Sequence, residues 1–547
     1  MNAPMRRLRT IACSGGAAML AALVLPSLPA AAAGPTTDYL VVYDSPAHVN
    51  RFSVASFGET RADLTDAGVL VVNSNNPNAL SQLNGVTDVV QDGRHFQLPA
   101  SDLQASPTSE EEIDSSSHCA STDDTCSQQW DLSRIHLPAA WKTTRGSAAI
   151  KVAVLDGGVY SGHEEIGSNY DQAHSRSFVQ PSDFCPSDAT TFASTQDFDG
   201  HGTWIATHIA GKTSNLMTGI APKTTLLNVR VVGTCGFGDD SWILEGMMYA
   251  HQAGAQLINA SLGALVCAKV VPASVYCSDP VQVKSDVAFS HAAAAVTRYL
   301  TAHGTLVIAA AGNYHAPIDG TGVLKGNGLT FGGVFAPDPS NLVTGLRQLP
   351  AGLPGVISVG ATTRKTGTGA VGDTVFGQYG AGLSDQLALY SDYGSGVDIM
   401  APGGARNFNL LARECKTADC ARLGPSQPGA SDNTGVYGAI GAVGTPCGAT
   451  CYGYLVGTSQ STAQVTGVAA LALAVNQDLS PDQLTRLLRR SVTDFKDDNA
   501  TPPMSDNPSE PTFNYGIDFT APPISNDQMG SGVIDAAKAV EAAEDSK

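Results

Sequence analysis

The chain has 547 residues, which admits roughly two to four domains at about 150 residues each, and its 43% of apolar residues is ample for a large core. Charged residues are only 15%, against about 25% in an ordinary globular protein, and Asp plus Glu exceed Lys plus Arg by 50 to 31, a formal charge of −19. An acidic balance with no basic stripe argues against nucleic acid and against an anionic lipid surface as partners.

Residues 1–33 read as a secretory signal. Arg6, Arg7 and Arg9 are basic, Ile11 to Leu25 is mostly apolar, and Ala31-Ala32-Ala33 precedes Gly34 as a small-residue cleavage site. The apolar run of about 15 residues falls short of the roughly 20 that span a bilayer, so the expectation is export and an extracellular, soluble product. Cysteine usage fits an oxidising compartment: of eleven Cys, Cys13 lies in the signal and the others are even in number. Cys119/Cys126, Cys267/Cys277, Cys415/Cys420 and Cys447/Cys451 are close enough for local bridges, which leaves Cys185 for Cys235. A zinc site is not expected, because paired CxxC motifs and interleaved His are lacking.

Residues 34–99 read as a small α+β unit. Tyr39–Tyr43, Val69–Val72 and Val86–Val90 are β-rich, and Asn78–Leu83 is helical in pattern. Residues 100–127, with Glu110-Glu111-Glu112, read as an exposed acidic linker open to proteolysis. The main domain occupies 128–547, its body at roughly 128–495. There the short apolar runs Ile150–Leu155, Leu226–Val232, Leu257–Ala260, Leu306–Ala310 and Val356–Val359 alternate with the helical patterns Ser241–Ala253, Val283–His303 and Ser459–Val475. Such alternation implies an α/β fold, a parallel sheet with helices on both faces. The polar tail leads through Gly530–Asp535 into a short Ala/Glu helix.

In such a sheet chemistry gathers at the carboxyl ends of strands. Asp156 ends the first run, where a carboxylate can fix the tautomer of an imidazole. His201 stands in Asp199-Gly-His-Gly-Thr203 at a helix start. Asn313 closes Ala309-Ala-Ala-Gly-Asn, and Ser459 opens a helix in Gly457-Thr-Ser-Gln. A helix start favours developing negative charge through its free N–H groups.

These four segments, in this order, resemble the subtilisin-like serine peptidases, the subtilase family. Ile258–Gly263, Tyr390–Gly394 and Ala401–Gly403 add weaker likeness. The resemblance implies a subtilisin-like fold and a secreted serine endopeptidase made as a zymogen. Ser459 would attack the scissile carbonyl, His201 would carry the proton, and Asp156 would hold His201. Asn313 and the Ser459 N–H would bind the oxyanion. Ser261-Leu262-Gly263 and Ala310-Ala311-Gly312 would pair with an extended polypeptide substrate. Residues 34–99 would be an inhibitory propeptide, the chain's own intramolecular partner. No cofactor is required. Structural calcium is a family trait for which no ligands are assigned, although Asp197, Asp199, Asp497 and Asp498 offer oxygens. Departures stand at Gly157, Thr207, Ala463 and Gln464, and the interval from Asn313 to Ser459 is long, with Gly-rich extra length near 314–350 and 404–450.

Three other readings are weaker. The sedolisin group shares the fold but uses a Glu base, against Gly-His201-Gly-Thr. An α/β-hydrolase needs a Gly-x-Ser-x-Gly elbow, which Ser459 lacks. A non-enzymatic binding module rests only on the departures around Ser459.

Overall fold

The computed structural model describes residues 36–98, 129–212, 216–328, 343–364, 385–388, 390–404, 435–445, 448–494 and 524–547. The signal at 1–33, the linker at 100–127, the Cys119/Cys126 and Cys415/Cys420 pairs, and Asp497-Asp498 lie outside the described residues.

The main sheet has the order Val492–Thr493, Val533–Ile534, Ile399–Pro402, Val356–Arg364, Leu306–Ala310, Leu257–Ala260, Lys151–Asp156, Thr225–Arg230, Arg176–Ser177. From Val533–Ile534 to Arg176–Ser177 every neighbouring pair is parallel. The expected strands are all present, and Ile399–Pro402 joins them; too short for a pattern, it pairs with Val356–Arg364.

Side chains alternate across the sheet as the two-residue strand period demands. Val152 and Val154 pack on one face with Trp204, Ile205, Val465 and Val468, from the helices His201–Ala210 and Thr458–Val475. Ala153 and Leu155 pack on the other with Met247, Phe289 and Val296, from Asp240–Gln252 and Pro280–Ala302. Both faces are covered, so these strands are apolar throughout. The first strand sits between Thr225–Arg230 and Leu257–Ala260, where the chain reverses its direction of travel across the sheet. Its carboxyl end is a topological switch point, the usual crevice of an open α/β sheet.

The amino-terminal unit is a four-stranded antiparallel sheet, Glu59–Leu64, Val69–Ser74, Thr37–Tyr43, Val86–Gln91. Alternation again separates its faces. Val41 and Tyr43 pack with Val54 and Leu80 of its own short helices, whereas Leu40, Val42 and Val71 join the core formed by Trp242, Met248 and Phe289. The unit is thus docked by an apolar face on two helices of the main domain. Chain then leads through residues 92–95 to a strand the sequence pattern did not reveal, Phe96–Gln97. It lies between Gly263–Cys267 and Phe237–Gly238, antiparallel to both. Disulfides Cys185–Cys235 and Cys267–Cys277 fasten the loops beside these two strands, the second a pair close in sequence and the first the pair left by elimination. Cys451 is also disulfide-bonded.

Candidate active site

Asp156 and His201 meet at the switch point. Asp156 ends its strand fully buried, and its Oδ1 and Oδ2 lie 2.9 and 3.0 Å from His201 Nδ1. Asp156 Oδ1 also accepts the Gly157 N–H at 2.8 Å. His201 opens the helix His201–Ala210, whose start is held by another carboxylate. Asp197 Oδ1 accepts from the N–H groups of Asp199 and Gly200, and its Oδ2 from the N–H and hydroxyl of Thr203. Orphan amides at the helix start are thereby satisfied. Gly200 has φ +93°, and a Cβ there would meet the Ile440 carbonyl at 2.5 Å, so the turn presenting His201 requires glycine.

Electrostatics follow from burial. Burial alone would lower the His201 pKa, but the charge of Asp156 and its hydrogen bond outweigh it and hold the imidazole up at about 9. Burial raises the Asp156 carboxyl, and the attraction of His201 offsets only part of that. Burial and the nearby Asp199 charge push Asp197 up to about 7.

Ser459 lies in the first turn of Thr458–Val475, a helix buried on all sides as far as Leu473. Its polar side chains are held locally. Thr462 Oγ1 donates to the Thr458 carbonyl, Ser461 Oγ to the Ala401 carbonyl, and Thr466 Oγ1 to Asn259 Oδ1. Of the departures, Ala463 packs in the core and Gln464 Nε2 donates to the Pro402 carbonyl. Thr207 Oγ1 donates to the Thr203 carbonyl, so its extra bulk is absorbed within the helix. Gly157 leaves room for Leu98, whose Cδ1 would be 3.3 Å from a Cβ there.

Asn313 follows Gly312, whose φ is +120° and whose missing Cβ makes room for the Asp392 carboxylate. Asn313 Oδ1 accepts from the Thr458 N–H at 3.0 Å and the Thr458 hydroxyl at 2.8 Å. That leaves its amide N–H groups to donate elsewhere. Gln97, Leu262, Gly263, Ala310, Gly312, Asn313 and Ser459 line one small pocket. Ser261 Oγ donates to the Ser459 carbonyl at 2.9 Å and accepts from Asn259 Nδ2.

The Phe96–Gln97 strand pairs with Gly263 and Ala264 on one side and with Phe237–Gly238 on the other. Ala311 N–H is already bound to the Val359 carbonyl, so the Ala310–Gly312 segment continues the main sheet and serves as pocket wall. The sequence reading missed Thr458, Tyr314, Gln348 and Asp392 around the pocket. Thr458 had a signal in its place beside Ser459, and Asp392 in its place within Tyr390–Gly394. Asp197, considered as a source of metal oxygens, is engaged by four protein donors instead. Among the described residues no group of three or more His, Cys, Asp or Glu is disposed to hold a metal ion, and no helix is long and apolar enough to cross a membrane.

Comparison with known proteins agrees with this geometry. Residues 147–516 match the family model described as the subtilase family. The chain is 25% identical over 371 residues to Subtilisin Savinase of Lederbergia lenta, covering 68% of this chain and 93% of that protein. It is 25% identical over 371 residues to M-protease of Shouchella clausii strain KSM-K16, there spanning 66% of the relative's length. Among solved structures, the epidermin leader peptide processing serine protease of Staphylococcus aureus shares the fold. Its TM-score is 0.60 at 19% identity, over 93% of this chain and 98% of that one. The chain belongs to the subtilase family, the subtilisin-like serine endopeptidases.

Proposed function

We propose that the chain is an exported zymogen whose peptidase domain hydrolyses polypeptides through Asp156, His201 and Ser459, with Asn313 as oxyanion donor and residues 34–99 as its intramolecular inhibitor. The observation that carries this reading is the Phe96–Gln97 strand. It lies between two strands of the main domain as an extended peptide would, its backbone paired with Gly263 and Gly238. Leu98 continues the line, donating its N–H to the Gly236 carbonyl at 3.0 Å. Strand addition of this kind is the general way a cleft holds a peptide by its main chain. Here the peptide is the chain's own, so the unit that carries it closes the cleft until the linker is cut.

In the reaction, Ser459 Oγ adds to the scissile carbonyl while His201 Nε2 takes its proton. The oxygen of the adduct gains charge beside the Asn313 amide and the Ser459 N–H. His201 then donates the proton to the leaving amine, and water repeats the sequence to free the acyl group. Asp156 keeps the His201 ring oriented and stabilises its cationic form.

The test is labelling by a fluorophosphonate probe, wild type beside Ser459→Ala. Labelling of wild type alone, with Ser459→Ala remaining full length while wild type sheds its amino-terminal part, is the expected result. A folded, processed wild type that takes no label would refute the peptidase reading and leave the binding module. Equal processing of both would assign the cut to another protease.

A further inference from the structure

The pocket beside Ser459 is small, about 20 Å³ with Gln97 of the amino-terminal unit as one of its walls, room for little more than one water-sized group. Two side chains close it, Tyr314 and Gln348. Neither sits in the four segments that carry the family likeness. Tyr314 is buried against Gly312, where its Cδ2 would be 3.2 Å from a Cβ. Its hydroxyl hydrogen-bonds the Gln97 side chain. Gln348 comes from the strand Leu346–Leu349, which pairs with Gly263–Cys267 and so forms the outer wall of the cleft.

Two independent features draw attention to Gln348. Its side chain reaches into the space that a Cβ on Gly263 would fill, so the absence of a side chain at Gly263 admits the amide to the pocket. It is also only 3% exposed, and its Oε1 has no hydrogen-bond partner among the described residues. A buried acceptor without a donor is unfavourable. A substrate side chain that brings a donor is therefore favoured over one of equal size that brings none. Long apolar side chains are disfavoured, because the buried Tyr314 and Gln348 would both have to move.

We propose that Gln348 sets the preference for the residue on the acyl side of the scissile bond, and that the preferred side chain is short and hydroxylated, serine or threonine. This rests on the peptidase reading above, since it assigns the pocket beside Ser459 to the acyl-side residue. Gln348 is a specificity residue in this scheme. It touches the substrate side chain and takes no part in bond making.

The experiment is digestion of denatured casein by the processed enzyme, with every cut mapped by mass spectrometry and active sites counted in parallel by fluorophosphonate labelling. Cuts after serine and threonine are expected to exceed cuts after alanine roughly tenfold at equal abundance, the usual scale of one recovered buried hydrogen bond. Gln348→Leu, close in size but without an acceptor, should remove that excess while still cutting after alanine. Gln348→Glu, which keeps an acceptor, should retain it. A labelled wild-type enzyme with no excess of hydroxylated residues overturns the inference, and so does Gln348→Leu with an unchanged profile. Should neither variant fold, the wild-type profile alone decides. Absence of labelling in the wild type would instead overturn the peptidase reading.

Discussion

Ser459 Oγ donates its hydrogen bond to the Ser261 backbone carbonyl, 3.1 Å away, and His201 Nε2 has no hydrogen-bond partner among the described residues. The hydroxyl therefore points toward the turn between Leu257–Ala260 and Gly263–Cys267, and away from the proposed base. Attack requires it to turn from Ser261 to His201. In the closed chain that turn is opposed by the bond to Ser261 and by a cleft already filled by Phe96–Leu98. The full-length chain should accordingly take up a fluorophosphonate much more slowly than the processed enzyme, followed as label per folded molecule against time. Equal rates would mean that the amino-terminal unit does not restrain Ser459.

The ionisation of His201 gives a second prediction. A general base must be neutral to accept a proton, and Asp156 holds the His201 imidazole at about 9. Activity should thus climb with pH through the neutral range and level off near pH 9, read as kcat/KM on a peptide amide. The same shift affects stability with a defined sign. A raised folded-state pKa stabilises the fold fully below the unfolded imidazole value, about 6.5, and the contribution is lost as pH rises through about 9. Asp156→Asn should reduce kcat by about 10⁴-fold by releasing the wrong tautomer. A flat profile from neutral pH upward would contradict the assignment of the base.

Much of this site was legible because its parts sit at strand ends. Asp156, Asn313 and the Leu257–Ala260 strand follow apolar runs of near-uniform character, and the helices of His201 and Ser459 begin where small residues cluster. What stayed hidden depends on partners remote in the chain. Phe96–Gln97 is two residues long and has no periodicity of its own; it is a strand only because Gly263–Cys267 and Phe237–Gly238 flank it. Gln348 falls in a Gly-rich stretch where no pattern singles it out. Asp197 looked like a loop carboxylate, and only the folded turn brings four donors to it.

Asn313 offers a third test. Its Oδ1 is committed to Thr458, which leaves the amide N–H groups for the proposed oxyanion. Asn313→Ala should lower kcat by roughly 10²–10³-fold, the scale seen in a subtilisin for loss of one oxyanion donor, with KM little changed. Thr458→Val removes the hydroxyl donor yet leaves the N–H bond, so a smaller loss in kcat is expected. A loss confined to KM in either variant would place Asn313 in substrate binding alone.

The cap at Asp197 concerns folding more than chemistry. Asp197→Ala strands the amides of Gly200 and Thr203 at the start of the His201 helix, all of them buried. Each orphaned buried donor costs about 1–3 kcal/mol, so the variant should melt well below the wild type in a calorimetric scan. Asp197→Asn keeps one acceptor oxygen and should fall between them. An unchanged melting temperature in Asp197→Ala would mean that the helix start is held by other contacts.

The connection between the amino-terminal sheet and the Phe96–Gln97 strand carries the last prediction. His95 Nδ1 lies 2.7 Å from Asp240 Oδ2, and its Nε2 lies 3.6 Å from Asp286 Oδ1. Asp92 accepts the N–H and hydroxyl of Ser241, while Arg94 Nε pairs with Asp239 at 2.6 Å. Four carboxylates therefore face one permanent cation and one histidine across the junction. Burial and the adjacent Asp240 charge push Asp92 up to about 8. Burial would lower the His95 pKa, but Asp240 outweighs it and raises it. Both groups hold protons more tightly when docked, so both favour docking at low pH. The Asp92 contribution declines from the ordinary carboxylate range up to about 8. That of His95 declines from the free imidazole value upward. Affinity of the isolated 34–99 segment for the processed enzyme should therefore weaken steadily from pH 5 to pH 9, measured as inhibition of peptide hydrolysis. Asp92→Asn, which cannot ionise, should flatten the slope, and His95→Gln should flatten its upper part. Inhibition that strengthens with rising pH would show that another set of charges governs release.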